Sequence, residues 1–191
     1  MDDLFTREMK GKALHSTGSY KSEDFFTKEV PEPRWALVSK EVIPGTLDKN
    51  YFEQTKIIVN YLSEEVFKGQ IMPATYLSAI NEFADQKDDI QGLINSYEWH
   101  VAAEKLANLQ INQLTRQTPA EALYDILIHF QTTGKYLLEK MYTWTTRRSP
   151  DGDLLGDLVG VGVTGSEGAD VFRYGSGSEG DYLGVSFSRR V

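Results

Sequence analysis

Cysteine is absent from the 191-residue sequence. Disulfides, thiolate metal sites and cysteine nucleophiles are therefore excluded together, while the redox compartment stays open. Long apolar runs are lacking too: nothing approaches the roughly 18 consecutive apolar residues of a membrane-spanning helix. Met1-Asp2-Asp3 is followed by no basic segment and no apolar stretch, so a signal peptide is not expected. The expectation is a soluble chain, cytoplasmic by default, with no membrane insertion. Basic residues are in deficit, 20 against 28 acidic, a formal charge of −8, and their dense spots are Arg147-Arg148 and Arg189-Arg190. Phosphate neutralisation needs clustered Lys and Arg, so nucleic acid is not an expected partner. The three histidines, His15, His100 and His129, lack the i,i+4 spacing of metal ligands, and neither a metal nor a cofactor is expected.

What is present, 40% hydrophobic and 25% charged residues, is the composition of a globular protein. The length suits one core with an appended tail. Residues 1–34 are polar and aperiodic, with isolated aromatics at Phe5, Phe25 and Phe26 and an ending in Pro31-Glu32-Pro33, which reads as an arm that orders against the body or a partner. A helical body is expected over 35–114. Asp48 can cap a helix carrying Tyr51, Thr55, Ile58, Leu62 and Val66 inward, with Gly69 just past its end. Pro73 suits the first position of a second helix with a Tyr76, Leu77, Ile80, Phe83, Ala84 stripe. Asp88 or Asp89 opens a short turn through Ile90, Leu93 and Ile94, and Ser96 caps a helix with Trp99, Ala102, Leu106 and Leu109 inward. Thr118-Pro119-Ala120-Glu121 is a capping box with proline at the position where a missing N–H is harmless, and Gly134 ends or interrupts that helix.

Tyr142 to Thr146 is aromatic and β-branched and reads as a strand. Beyond Pro150 lie 10 of the 16 glycines, which rules out a long helix there. Strands are expected at Leu158 to Val163, Ala169 to Tyr174 and Leu183 to Ser188. The predicted fold class is α+β, a helical body followed by a small glycine-rich antiparallel sheet.

Three constellations favour their bland readings. Thr132-Thr133-Gly134-Lys135 resembles the end of a phosphate loop, yet His129 stands where its first glycine belongs and Tyr136 where its hydroxyl belongs. Asp151-Gly152-Asp153 with Gly156 and Asp157 resembles the start of a calcium loop, but Leu155 and Gly162 occupy two ligand positions, so a solvated turn is favoured. Asp125 and His129 lie one helical turn apart without a third catalytic partner. No enzyme is expected. By contrast, Thr164 to Tyr182 mixes glycine, serine, acids and aromatics as adaptable binding surfaces do, tyrosine supplying rigid area and glycine and serine tolerance. Alternation would place Ala169, Val171 and Arg173 on one face of a strand and Asp170, Phe172 and Tyr174 on the other. The competing reading is a β-meander with Phe172 and Tyr174 in its core.

Tyr142-Thr143-Trp144-Thr145, the Leu158 to Gly162 Val/Gly strand and the terminal Tyr182-Leu183-Gly184-Val185-Ser186-Phe187-Ser188-Arg189 together resemble the variable proteins of diversity-generating retroelements. Thr118 to Tyr124 is similar to a helix start in the same family, so the resemblance covers about residues 115–191. It implies a C-type lectin fold of the formylglycine-generating-enzyme type, in which one C-terminal segment, about 160–188, is rewritten at template adenines to recognise varied protein or glycan ligands. Val161, Gly162, Leu183, Gly184, Val185 and Phe187 would then be scaffold. Asp170, Phe172, Tyr174, Ser176, Ser178, Glu179, Asp181 and Tyr182 would be ligand contacts. The related enzymes rely on cysteine, which this chain lacks. The alternative reading is a helical assembly protein whose β segment is a cap or docking element, and the sequence leaves the oligomeric state open.

Overall fold

Asn50 opens the first long helix through a reciprocal pair of bonds: its side chain accepts from the Glu53 amide, and the Glu53 carboxylate accepts from the Asn50 amide. Two of the orphan donors at a helix start are satisfied this way. Asp48, the expected cap, instead adopts a left-handed backbone (φ 55°) and donates its amide to the Gly180 carbonyl. The computed structural model describes residues 23–30, 35–149, 157–163 and 168–190. Its elements are α1 (Asp24–Thr27), β1 (Ala36–Val42), α2 (Tyr51–Tyr61) continued by a π turn (Leu62–Val66), α3 (Ala74–Asn95), α4 (Trp99–Asn108), α5 (Gln110–Thr115), α6 (Pro119–Thr133), β2 (Tyr142–Arg148), β3 (Asp157–Val163), β4 (Ala169–Gly175), β5 (Leu183–Gly184) and β6 (Ser186–Arg190). The class is α+β.

Several expected boundaries move. The two segments predicted around Pro73 and Asp88 form the single helix α3, because no glycine or proline separates them and Ile90 and Ile94 extend the buried Tyr76, Ala79, Phe83 stripe. Leu77 and Ala84 face solvent, each about 100° around the helix from its buried neighbour. Ser96 ends α3 rather than capping α4. At Thr118 the capping box forms as expected, with Pro119 at the first position and Gly134 left-handed at the C-cap.

The expected helical body, bounded at residue 35, opens instead with strand β1, which pairs antiparallel with β6. A pairing between positions some 150 residues apart leaves no local trace in sequence. The single strand expected at Leu183 to Ser188 is split at Val185: β5 pairs in parallel with β2, and β6 with β1. The larger sheet, ordered β4-β3-β2-β5, is therefore mixed rather than purely antiparallel.

This sheet separates two apolar clusters. Val159, Val161, Val163, Ala169 and Val171 pack against Ala122, Leu123, Ile126 and Leu127 of α6. Phe25 and Phe26 of α1 join them, so this part of the polar arm is an ordered component of the core. The remainder of the arm, 1–22 and 31–34, lies outside the described residues. On the opposite side Tyr142, Trp144, Leu158, Leu183, Val185 and Phe187 share one cluster with Tyr51, Phe52, Ile58 and Leu62 of the helical body. The two halves on either side of residue 115 thus bury their surface in each other.

Arg116 stands inside that junction, 3% exposed. Its guanidinium donates to Asn112 Oδ1, Gln54 Oε1 and the Tyr51 carbonyl and lies 3.8 Å from the Tyr51 ring centre. Gln54 Nε2 in turn donates to the Leu183 carbonyl. Among the described residues no carboxylate pairs with Arg116, and burial lowers its pKa to about 10.

Candidate functional site

The Val-Gly alternation of β3 decides what the two faces of the sheet can hold. Its valines face α6, and its glycines open the other face to rings from neighbouring strands. At Gly162 the space is fully used: a Cβ there would lie 2.0 Å from the Met141 carbonyl oxygen and 2.7 Å from Tyr142 Cα. Tyr142 consequently reaches Phe172 edge-on, with ring centres 5.4 Å apart. Phe172 tilts against Tyr174 at 6.0 Å, and Tyr174 meets Trp144 at 5.5 Å and Tyr182 at 6.3 Å. Edge and tilted contacts of this kind suit the ring quadrupoles. Burial, followed by the neighbouring Tyr182 and Tyr142, holds the Tyr174 hydroxyl well above the usual tyrosine range.

The segment from Gly175 to Leu183 then crosses to the helical body and is tied there by main-chain groups. Its Ser176 carbonyl accepts from the Tyr51 amide at 3.3 Å, its Gly180 carbonyl from the Asp48 amide at 3.0 Å, and the Tyr182 carbonyl from the Tyr142 amide at 2.7 Å. Gly177 lies against Trp99 so closely that a Cβ would meet the indole at 2.8 Å. Trp99, Gly175, Gly177 and Ser178 border an open cleft of about 200 Å³. Tyr97, 80% exposed, stands edge-on to Trp99 at 6.4 Å.

The eight expected contact residues divide by exposure. Phe172 (44%) and Tyr182 (41%) protrude, Glu179 and Asp181 are exposed, and Tyr174 and Ser178 are half-buried. Glu179 accepts from Asn50 Nδ2 at 3.4 Å. Asp170 and Ser176 differ from the expectation: both side chains are buried. Asp170 accepts from the Val171 amide at 2.8 Å, and the Ser176 hydroxyl donates to the Trp99 carbonyl at 3.3 Å. Polar groups this deep serve the backbone around them. Strand alternation alone put Asp170 with Phe172, but exposure depends on what covers each end of the strand. Arg173 follows the expected alternation and turns to the other face, where it donates to buried Glu23 at 2.7 Å. Trp99 was invisible as a site residue because its helical spacing reads as core, and Tyr97 lies in the turn before that helix.

The other candidates stay apart from this face. Asp125, its pKa raised by burial, accepts from Gln117 Nε2 at 2.7 Å rather than orienting His129. Thr132 to Lys135 close the C-terminal end of α6, where carbonyls point outward, the reverse of the N–H-rich helix start that binds phosphate. Residues 151–156 of the calcium-like stretch lie outside the described residues. No group of three or more His, Asp and Glu suited to a metal ion occurs among the described residues, and no described helix is long and apolar enough to cross a membrane. Compared with known proteins, the chain matches no family model, no curated protein and no solved structure.

Proposed function

We propose that the chain is a non-enzymatic ligand-binding protein of C-type lectin type, whose C-terminal face is diversified by a retroelement to recognise varied protein or glycan ligands. The observation that carries this reading is the division of labour along residues 172–182. The backbone is held by carbonyls bonded to the Asp48, Tyr51 and Tyr142 amides, while Phe172, Glu179, Asp181 and Tyr182 extend from it. Main-chain bonds do not depend on side-chain identity, so side chains mounted on such a loop can change with little effect on the core. The resemblance of residues 115–191 to retroelement variable proteins adds the means of variation.

The test is a library with positions 172, 178, 179, 181 and 182 randomised together. Most members are expected to stay folded by protease resistance, and selection against a panel of proteins and glycans should yield binders. A library in which most members unfold would sink the reading. Neighbouring DNA offers a second check: a near-copy of the 3′ coding segment that differs at adenines, beside a reverse-transcriptase gene.

The assembly reading draws on a different observation, the exposure of Trp35 (83%) and Leu37 (61%) beside and on strand β1. Sedimentation velocity decides it: an oligomer dissociated by W35S/L37S supports assembly through β1, and a monomer removes it.

A further inference from the structure

The exposed rings of the loop face share their surface with an excess of carboxylates. Asp181 immediately precedes Tyr182, Glu179 lies three residues before Tyr182, and the Asp48 amide is bonded to the intervening Gly180 carbonyl. Glu98 sits in the chain between Tyr97 and Trp99, and Trp99 borders the cleft. All four carboxylates belong to exposed residues, and among the described residues none of them is in an ion pair. Against them stands Lys49, half-buried between Asp48 and Asn50. Arg173, the other cation of the segment, is committed to Glu23 on the opposite face.

We infer that the ligand of this face is a polypeptide segment presenting lysine or arginine side chains, an inference that rests on the recognition reading above. A cation is attracted to the face of an aromatic ring, and Phe172, Tyr182, Tyr97 and Trp99 supply rings in varied orientations. Lysine and arginine carry that charge on an apolar stem, so the stem covers a ring while the head reaches a carboxylate beside it. A neutral glycan stacks on rings and donates hydroxyls to acids, but brings no charge to balance them. The shallow cleft of about 200 Å³ beside Trp99 accepts a single side chain from an extended strand rather than enclosing a small molecule. The chain's overall charge of −8 adds long-range attraction for the same partner.

The experiment pans a phage library of random dodecapeptides on the full chain, then measures the best peptides against the chain, E179Q/D181N and F172A/Y182A by fluorescence anisotropy. Peptides rich in Lys and Arg are expected, weakened about tenfold by E179Q/D181N and further by F172A/Y182A, and weakened by added salt. Thermal melts confirm that both variants stay folded. Selected peptides that are neutral or acidic, or no selection at all, overturn the inference. If such neutral peptides are lost in F172A/Y182A, the recognition face stands and its ligand chemistry is wrong. Basic peptides indifferent to F172A/Y182A bind elsewhere and sink both.

Discussion

At the scale of single residues, Gly162 and Arg116 carry the most definite consequences. Gly162→Ala places a methyl group against the Met141 carbonyl and Tyr142 Cα, both backbone, so no side chain can swing away. A loss of about 3 kcal/mol is expected from urea unfolding. Arg116→Ala strips the donor from Gln54 Oε1 and leaves a cavity, costing roughly 3 kcal/mol, whereas Arg116→Met fills the space and costs less, since burial already disfavours the charge. The alkaline limb of stability follows from the tyrosines. The pKa values of Tyr174 and Tyr51 are raised in the folded chain, so their contribution is present below the ordinary value of 10.0 and is lost as pH rises above it. Arg116 runs the other way, its depressed pKa relieving a cost as pH passes about 10. Tyr136 is raised in the same sense as the other two tyrosines, and Tyr174→Phe should flatten part of the decline in urea midpoint as pH rises above about 10. An unchanged slope in Tyr174→Phe would remove Tyr174 as its source.

Elements show which signals act locally. Thr118→Ala removes one arm of the α6 capping box and should lower stability by about 1 kcal/mol, read from the urea midpoint. That box was legible in sequence because every bond in it joins residues three apart. The β3 strand was legible as well, its alternation of valine and glycine matching the two-residue period of a pleated chain. Strand β1 was not, since it owes its conformation to β6 at the far end of the chain. The α1 segment carries the same lesson: Phe25 and Phe26 sit in a polar context, and only α6 and the sheet give them a place to be buried. Phe26→Ala is expected to cost about 3 kcal/mol, as for a core position. A loss near zero by urea unfolding would return these residues to a loose arm.

For the whole molecule, the shared clusters forbid independent halves. Leu183, Val185 and Phe187 lie in the same core as Tyr51, Phe52 and Ile58, and β1 loses its partner without β6. A chain ending at residue 149 should therefore show no cooperative transition, and the intact chain should unfold once, with far-ultraviolet circular dichroism and tryptophan fluorescence coinciding. Separate transitions would divide the molecule near residue 115. The loop face depends on this union, because the Ser176 and Gly180 carbonyls are held by the Tyr51 and Asp48 amides and the Tyr182 carbonyl by the Tyr142 amide of β2.

Local pattern was enough for the Thr118 capping box, the β3 alternation, the α+β class and the concentration of aromatics and acids in residues 170–182. Each of these rests on bonds or periodicities spanning a few residues. Only the tertiary structure decided the β1–β6 pairing, the change of partner at Val185, the burial of Asp170 and Ser176 and the arrival of Trp99 and Tyr97 beside the loop. Those depend on which distant surface covers a residue, and solvent exposure is a property of the assembled chain that no local pattern records.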